Sequence, residues 1–260
     1  MNFFKKLPVV ILAGGFGSRL DSLTETLPKP LVKITKIPII FYILKIFIKQ
    51  GLTNFYIATG YMSKEFFNYF KKIKSRKIKI IKTKNNAKIQ LEIEGTNCII
   101  NLIYTGQNTM TGGRLKKIGK FIKEDTFFLT YGDGLANVNL RKIFNLHKKS
   151  KRLVTVTAVN PPARFGELQI TGSRVKNFSE KKSIIRAWIN GGFFLINKKF
   201  LRLIKNKNTI LEREPLETAA RINQLSAYKH YGFWQCMDTR RDRDKLINMV
   251  KNNEYPWFNI

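Results

Sequence analysis

A short apolar run, Val9 to Ala13, empties directly into Gly14-Gly15-Phe16-Gly17-Ser18-Arg19-Leu20. A continuous run of this kind suits a buried strand, and the glycines let backbone N–H groups approach a ligand closely. Arg19 and, ten residues later, Lys29 place positive charge beside the turn. Backbone amides with nearby cations make a site for phosphate. The spacing is neither the dinucleotide fingerprint nor the Walker pattern, and a plain left-handed turn also accounts for a glycine pair. Pro28-Lys29-Pro30-Leu31 adds a second signal. Proline fixes its own φ and drives the preceding residue toward an extended conformation, so Lys29 sits on a stiff segment.

Strand and helix patterns then alternate. Ile39 to Lys49 reads as a mostly buried helix stopping at Gly51, Asn54 to Gly60 as a strand, and Lys64 to Ile73 as an aromatic-rich helix. Lys77 to Lys82 alternates like a strand with one wet face, Asn85 to Asn97 reads as a hairpin or excursion, and Cys98 to Tyr104 as a strand. Arg114 to Ile122 carries a helical stripe, Thr126 to Tyr131 is a strand, and Leu140 to Lys149 is an amphipathic helix with His147 on its inner face. This alternation to about residue 160 predicts an α/β fold: a Rossmann-like mixed, mostly parallel sheet flanked by helices. Beyond it come a hairpin around Gly172, a strand at Gly192 to Ile196, and a small C-terminal elaboration. Thr209 with Glu212, and Thr239 with Asp242, read as capping boxes for the last two helices. Neither an internal repeat nor a long linker divides residues 1–260. We expect one domain, with a nucleotide-type core over about 1–160 and a second region over 161–260.

Composition narrows the setting. A hydrophobic fraction of 43% argues against whole-chain disorder, and no apolar run reaches membrane-spanning or secretory-signal length. Cys98 and Cys236 make neither a disulfide framework nor a metal cluster, so a reducing cytoplasm is expected, with no membrane partner. The net charge of +31 peaks between Lys71 and Lys84. Lysine is also abundant elsewhere beside Asn, Ile and Phe, the residues an AT-rich coding sequence favours. A polyanion- or nucleic-acid-binding protein is the alternative of another class, but no stacking motif or zinc module supports it.

With only 17 acidic residues, each placement is readable. Asp133 stands between two glycines at the end of an apolar strand, where open α/β sheets hold their ligands. Asp238 follows a second largely apolar run and enters a helix cap. Two such carboxylates could hold Mg²⁺, which needs few protein ligands when phosphates supply the rest. An Asx turn at Asp133 and simple capping at Asp238 are the plainer readings.

Taken together, these segments resemble the sugar-1-phosphate nucleotidyltransferases, and most closely their cytidylyl branch. The resemblance is carried by Leu12-Ala13-Gly14-Gly15 with Arg19, Pro28-Lys29-Pro30, Met110-Thr111-Gly112-Gly113-Arg114-Leu115 and Tyr131-Gly132-Asp133-Gly134. It continues through Arg164-Phe165-Gly166, Glu180-Lys181, Asn190-Gly191-Gly192-Phe193 and Gly232-Phe233-Trp234 to Met237-Asp238-Thr239. It implies transfer of CMP from CTP to glucose 1-phosphate with release of pyrophosphate, Mg²⁺ as cofactor, and a homo-oligomer. It places Leu12, Ala13, Gly14, Gly15, Gly17, Arg19, Lys29, Thr111, Gly112 and Arg114 at the nucleotide, with Arg19, Lys29 and Asp133 catalytic. Asp133 and Asp238 would hold the metal; Lys181, Glu180, Asn190 and Gly191 would hold the sugar phosphate. UTP, dTTP or another sugar 1-phosphate is the nearest alternative. The residue types suit such a reaction, because a phosphate oxygen is already anionic and needs alignment and charge neutralisation rather than a base. His147 and His230 are therefore read as structural or surface residues. The chain departs from the family at Thr35-Lys36-Ile37-Pro38, where a Gly-Gly-Lys-Pro turn is common, at Leu27 in place of a basic residue, and at Lys182 in place of proline.

Overall fold

The computed structural model describes residues 3–17, 24–73, 78–160, 167–179 and 187–260. The chain begins with β1 (Val9–Leu12), the hairpin β2 (Lys33–Ile34) and β3 (Ile37–Pro38), then α1 (Ile39–Ile48), β4 (Asn54–Thr59) and α2 (Ser63–Lys71). A meander of β5 (Lys79–Lys82), β6 (Ala87–Ile93) and β7 (Thr96–Tyr104) leads to α3 (Thr111–Ile118), β8 (Thr126–Tyr131), β9 (Gly134–Ala136), α4 (Leu140–Ser150) and β10 (Val154–Val159). The remainder holds the hairpin β11 (Glu167–Thr171) and β12 (Arg174–Ser179), then β13 (Ile189–Asn197), α5 (Glu214–Arg221), β14 (Leu225–His230), β15 (Trp234–Cys236) and α6 (Arg240–Lys251).

The main sheet runs β14-β10-β13-β8-β1-β4-β7-β6-β5. β1 lies between β8 and β4, parallel to both, with Leu12 opposite Tyr131 on one side and Ala58 on the other. Strands β14, β10, β8, β1, β4, β7 and β5 point one way; only β13 and β6 oppose them. The sheet is mostly parallel, as expected, and β13 and β14 complete it from the C-terminal part of the chain. Val9 and Ile11 feed a core with α1, α2, α4 and α6, whereas Val10 and Leu12 feed a core with α3 and α5. A strand covered on both faces must be apolar at every position, which is why Val9–Leu12 shows no alternation. Among the described residues no helix is long and apolar enough to cross a membrane.

Most elements fall where their patterns predict, with two corrections. The helix expected from Thr209 begins instead at Glu214, and Arg213 at its N-cap makes no side-chain cap. Pro215 is the reason: proline fits only in the first turn, because further along it clashes with the carbonyl of residue i−4. Thr209 instead accepts from the Asn206 amide, leaving Glu212 for another purpose. The helix expected over 114–122 is α3, which starts at Thr111 and ends at a Gly119 cap. The second capping box is present: Thr239 accepts from Asp242 N and Asp242 accepts from Thr239 N.

The departure at Thr35 has a cost. Thr35 turns the β2–β3 hairpin with a φ of 61°, a left-handed conformation that β-branched residues avoid. Glycine adopts it freely at the first central position of such a turn. Thr35→Gly should therefore raise stability by about 1 kcal/mol, the strain relieved less the extra chain entropy. Chemical denaturation reads the change as a higher midpoint at constant slope; a lower midpoint would contradict the strain.

Candidate active site

β1 delivers the chain to the sheet's C-terminal edge, where Ala13 N still donates to Ala58 O (3.0 Å) before the glycine turn departs. The Gly14 carbonyl then accepts from Tyr61 N (3.1 Å) and from Arg114 Nη2 (2.7 Å). A trans peptide sets its N–H opposite its C=O, so the Gly15 amide points away from Arg114. Gly14 must be glycine, since a Cβ there would fall on the Arg114 guanidinium.

Arg114 is the organiser of this edge. It is 3% exposed, yet its two terminal nitrogens donate to the carbonyls of Thr59, Gly106, Gly14 and Gln107 and to the Thr105 hydroxyl, at 2.7 to 3.2 Å. Burial lowers its pKa to about 10, which leaves it charged at neutral pH. The residue lies behind the glycine turn, with its terminal nitrogens committed to four backbone carbonyls and the Thr105 hydroxyl. Thr111 also lines the cleft, whereas Gly112 does not. The Gly112 amide donates to Thr209 O (3.0 Å), and a Cβ would press on that same carbonyl at 2.8 Å. Close packing of α3, rather than ligand approach, explains this glycine.

Lys29 stands on a single turn of 3₁₀ helix, Lys29–Leu31, closed by Leu31 N donating to Pro28 O (2.8 Å). Its ammonium donates to Asp133 Oδ2 at 2.7 Å and to Asp238 Oδ1 at 2.5 Å. Gly132 permits this approach, because a Cβ there would lie 2.5 Å from Pro30 Cγ. Asp238 arrives through tertiary pairing: β15 runs antiparallel to β9 with Cys236 opposite Gly134, and Met237 N donates to Asp133 O (2.8 Å). The α6 capping box holds the next residue, with Asp238 N and Thr239 N both donating to Asp242 Oδ2. Burial works against the Lys29 charge, but Asp133 and Asp238 outweigh it and hold its pKa above the ordinary value.

These groups open into one cleft of about 920 Å³. Leu12, Ala13, Gly14, Gly15, Gly17, Lys29 and Asp133 line one part, and Asn190 and Gly191 reach it from the start of β13. Asn190 Oδ1 accepts from Gly192 N (2.8 Å), and Gly191 O accepts from Trp234 Nε1 (2.8 Å). Arg19, Glu180 and Lys181, with the Arg164-Phe165-Gly166 segment and residues 74–77 of the basic patch, lie outside the described residues. Glu212 also enters the cleft and was missed by the sequence reading. Its pairing with Thr209 as a cap concealed it; the scarcity of carboxylates was the one signal that could have flagged it. His147 meets Thr155 Oγ1 (2.9 Å) and His230 meets Phe233 O (3.1 Å), both away from the cleft, and burial pushes both imidazoles toward neutrality.

Two carboxylates converging on one point, here on the Lys29 ammonium, suit a hard divalent ion in their donor type. Among the described residues no cluster of three or more His, Cys, Asp or Glu side chains forms. A metal held by Asp133 and Asp238 would thus take its other ligands from water and substrate phosphate, as Mg²⁺ commonly does.

A parallel sheet with an amide-lined turn, a lysine and two carboxylates at its C-terminal edge defines an enzyme that handles nucleotide phosphates. The Nucleotidyl transferase family matches residues 8–237, ending one residue before Asp238. The chain is 40% identical over 257 residues to glucose-1-phosphate cytidylyltransferase of Salmonella typhimurium, covering 96% of this chain and 98% of that one. It is 34% identical over 252 residues to the probable glucose-1-phosphate cytidylyltransferase of Bacillus subtilis, covering 96% and 99%. Its fold is shared with HddC from Yersinia pseudotuberculosis (TM-score 0.70, 20% identity, 94% and 99% covered). A UDP-glucose pyrophosphorylase complexed with UDP-glucose shares it too (0.67, 15%, 95% and 99%). This chain belongs to the nucleotidyl transferase family, and it is a nucleotidyltransferase.

Proposed function

We propose that the chain transfers CMP from CTP to glucose 1-phosphate, giving CDP-glucose and pyrophosphate. The observation that carries the chemistry is the convergence of Asp133 and Asp238, 105 positions apart in the sequence, on Lys29 beside the glycine turn. The relatives at 40% and 34% identity support the choice of base and sugar. Enzymes of this family typically use a divalent metal, and we assign Mg²⁺ to Asp133 and Asp238.

The glycine turn receives the triphosphate through its outward amides, held in shape from behind by Arg114. Lys29, released from one carboxylate or shared between carboxylate and phosphate, neutralises charge at the phosphorus under attack. The divalent ion, when bound, draws charge from the phosphate oxygens. The sugar phosphate is its own nucleophile, so the protein aligns two anions and screens their repulsion. Arg19 at the pyrophosphate and Lys181 with Glu180 and Asn190 at the sugar phosphate complete the proposed set. Self-association and a cytoplasmic setting belong to the same reading.

Purified protein supplied with glucose 1-phosphate, Mg²⁺ and CTP, UTP, dTTP, ATP or GTP in turn should form CDP-glucose one-for-one with pyrophosphate. CTP should be preferred by at least about tenfold, the discrimination that one or two paired polar groups provide. Preference for another nucleotide would overturn the base assignment while keeping the reaction class.

A further inference from the structure

Glu212 sits just ahead of α5 with its carboxylate fixed from two sides. The Tyr131 hydroxyl donates to Oε1 at 2.5 Å and the Thr111 hydroxyl donates to Oε2 at 2.7 Å. Both donors are themselves anchored. Thr111 Oγ1 accepts from Leu211 N (2.9 Å), and the Tyr131 ring rests over Gly192, whose φ of +79° and missing side chain leave it room. Burial and the neighbouring Glu212 charge raise the Tyr131 pKa well above the ordinary value, so the phenol remains a donor.

No cation pairs with Glu212 among the described residues, although the chain carries 48 Lys and Arg. An ionised carboxylate has about four acceptor positions, of which two are taken here. An acceptor-only, negatively charged group repels phosphate and selects donors. The donors a sugar phosphate or nucleotide offers at neutral pH are hydroxyls and the base amine. Thr111 and Tyr131 hold the group through their hydroxyls and, with Asn190, line the same cleft.

We propose that Glu212 is a specificity-determining residue that accepts a hydrogen bond from a sugar-ring hydroxyl of the substrate, held ready by Tyr131 and Thr111. This deepens the proposed function and rests on it for the identity of the ligands. The same chemistry is present in the ribose of the nucleotide and in the hexose, and the two sources separate by experiment.

Calorimetric titration of wild type and Glu212→Gln would use CTP and its 2′- and 3′-deoxy forms. Glucose 1-phosphate and its monodeoxy forms would then be titrated onto protein saturated with a non-hydrolysable CTP analogue. Wild type should bind one deoxy analogue about tenfold or more weakly than its parent, the loss expected for a hydrogen bond to a charged group. Glu212→Gln should bind that parent correspondingly weakly and no longer distinguish the pair. Whether the affected pair is a nucleotide or a hexose identifies the ring. Tyr131→Phe, which keeps the charge but removes one support, should show a smaller loss toward the same analogue. Unchanged affinities and unchanged ranking in Glu212→Gln would overturn the proposal. So would a loss spread equally over every ligand and its deoxy forms, as a general distortion would give. Binding is read without turnover, so a wild type that binds these ligands but makes no sugar nucleotide would refute the reaction and leave the Glu212 result standing.

Discussion

Asp133→Asn is expected to cut kcat on the order of 10³-fold while leaving the protein folded. The substitution is nearly isosteric, and Asn retains one carbonyl oxygen, but the negative charge facing Lys29, and proposed here to hold the divalent ion, disappears. Removing one preorganised electrostatic element from an active site typically costs 10²- to 10³-fold, and a carboxylate with the proposed metal-holding role would stand at the upper end. Stability should change by less than about 1 kcal/mol, because Lys29 keeps its 2.5 Å partner Asp238 and all three side chains retain some contact with water. Steady-state rates with saturating metal and nucleotide, beside a denaturation curve, test both halves. Retention of more than a tenth of wild-type kcat would remove Asp133 from the reaction. Full loss of activity with a lowered denaturation midpoint would show instead that the Lys29 cluster is structural.

Arg114→Met should produce the opposite signature, a large stability loss with the carboxylate cluster intact. Its guanidinium ties the end of β1 to the end of β4 and to the loop after β7 by five hydrogen bonds, all to groups within the protein. Methionine fills the stem but satisfies none of them. The Gly14 and Thr59 carbonyls keep Tyr61 N and Thr105 N, so the groups that lose their partner are the Gly106 and Gln107 carbonyls. Each costs about 1–3 kcal/mol when left unpaired, reduced where the loop relaxes or water enters. A net loss of about 3–5 kcal/mol follows, and at this chain length that lowers Tm by roughly 10 °C. Arg114→Lys should recover only part of it, because one ammonium with three donors cannot span the fork of a guanidinium. With the Gly14 carbonyl held by Tyr61 N alone, the glycine turn is less firmly oriented and KM for the nucleotide should rise about tenfold in either variant. Thermal melts of the two variants read the first effect. A Tm within 2 °C of wild type for Arg114→Met would show that the turn holds its shape without it.

Local patterns made much of this protein legible. The unbroken apolar run at Val9–Leu12 suited a strand covered on both faces, and the glycines after it marked the sheet edge where ligands bind. Asp133 and Asp238 stood out because carboxylates are so few, and Lys29 because two prolines stiffen its surroundings. The α6 capping box needed only residues three apart. Where the sequence reading missed, competing local rules were in conflict: Thr209 and Glu212 have the spacing of a cap, but Pro215 decides where α5 begins.

What the sequence determined by itself is therefore the backbone: apolar periodicity, glycine and proline placement, and caps act within a few residues and are written in adjacent letters. Which side chains converge was decided only by the tertiary structure. Arg114 reaches the carbonyl of Gly14 a hundred positions away, Thr111 reaches Glu212 across 101, and Lys29 reaches Asp238 across 209. No local pattern distinguishes an arginine that meets phosphate from one that binds five backbone and hydroxyl acceptors, or a capping glutamate from one that faces a sugar. That distinction is made by the pairing of β1, β4 and β8, and of β9 with β15, which fixes which donors and acceptors meet and leaves the rest open to the cleft.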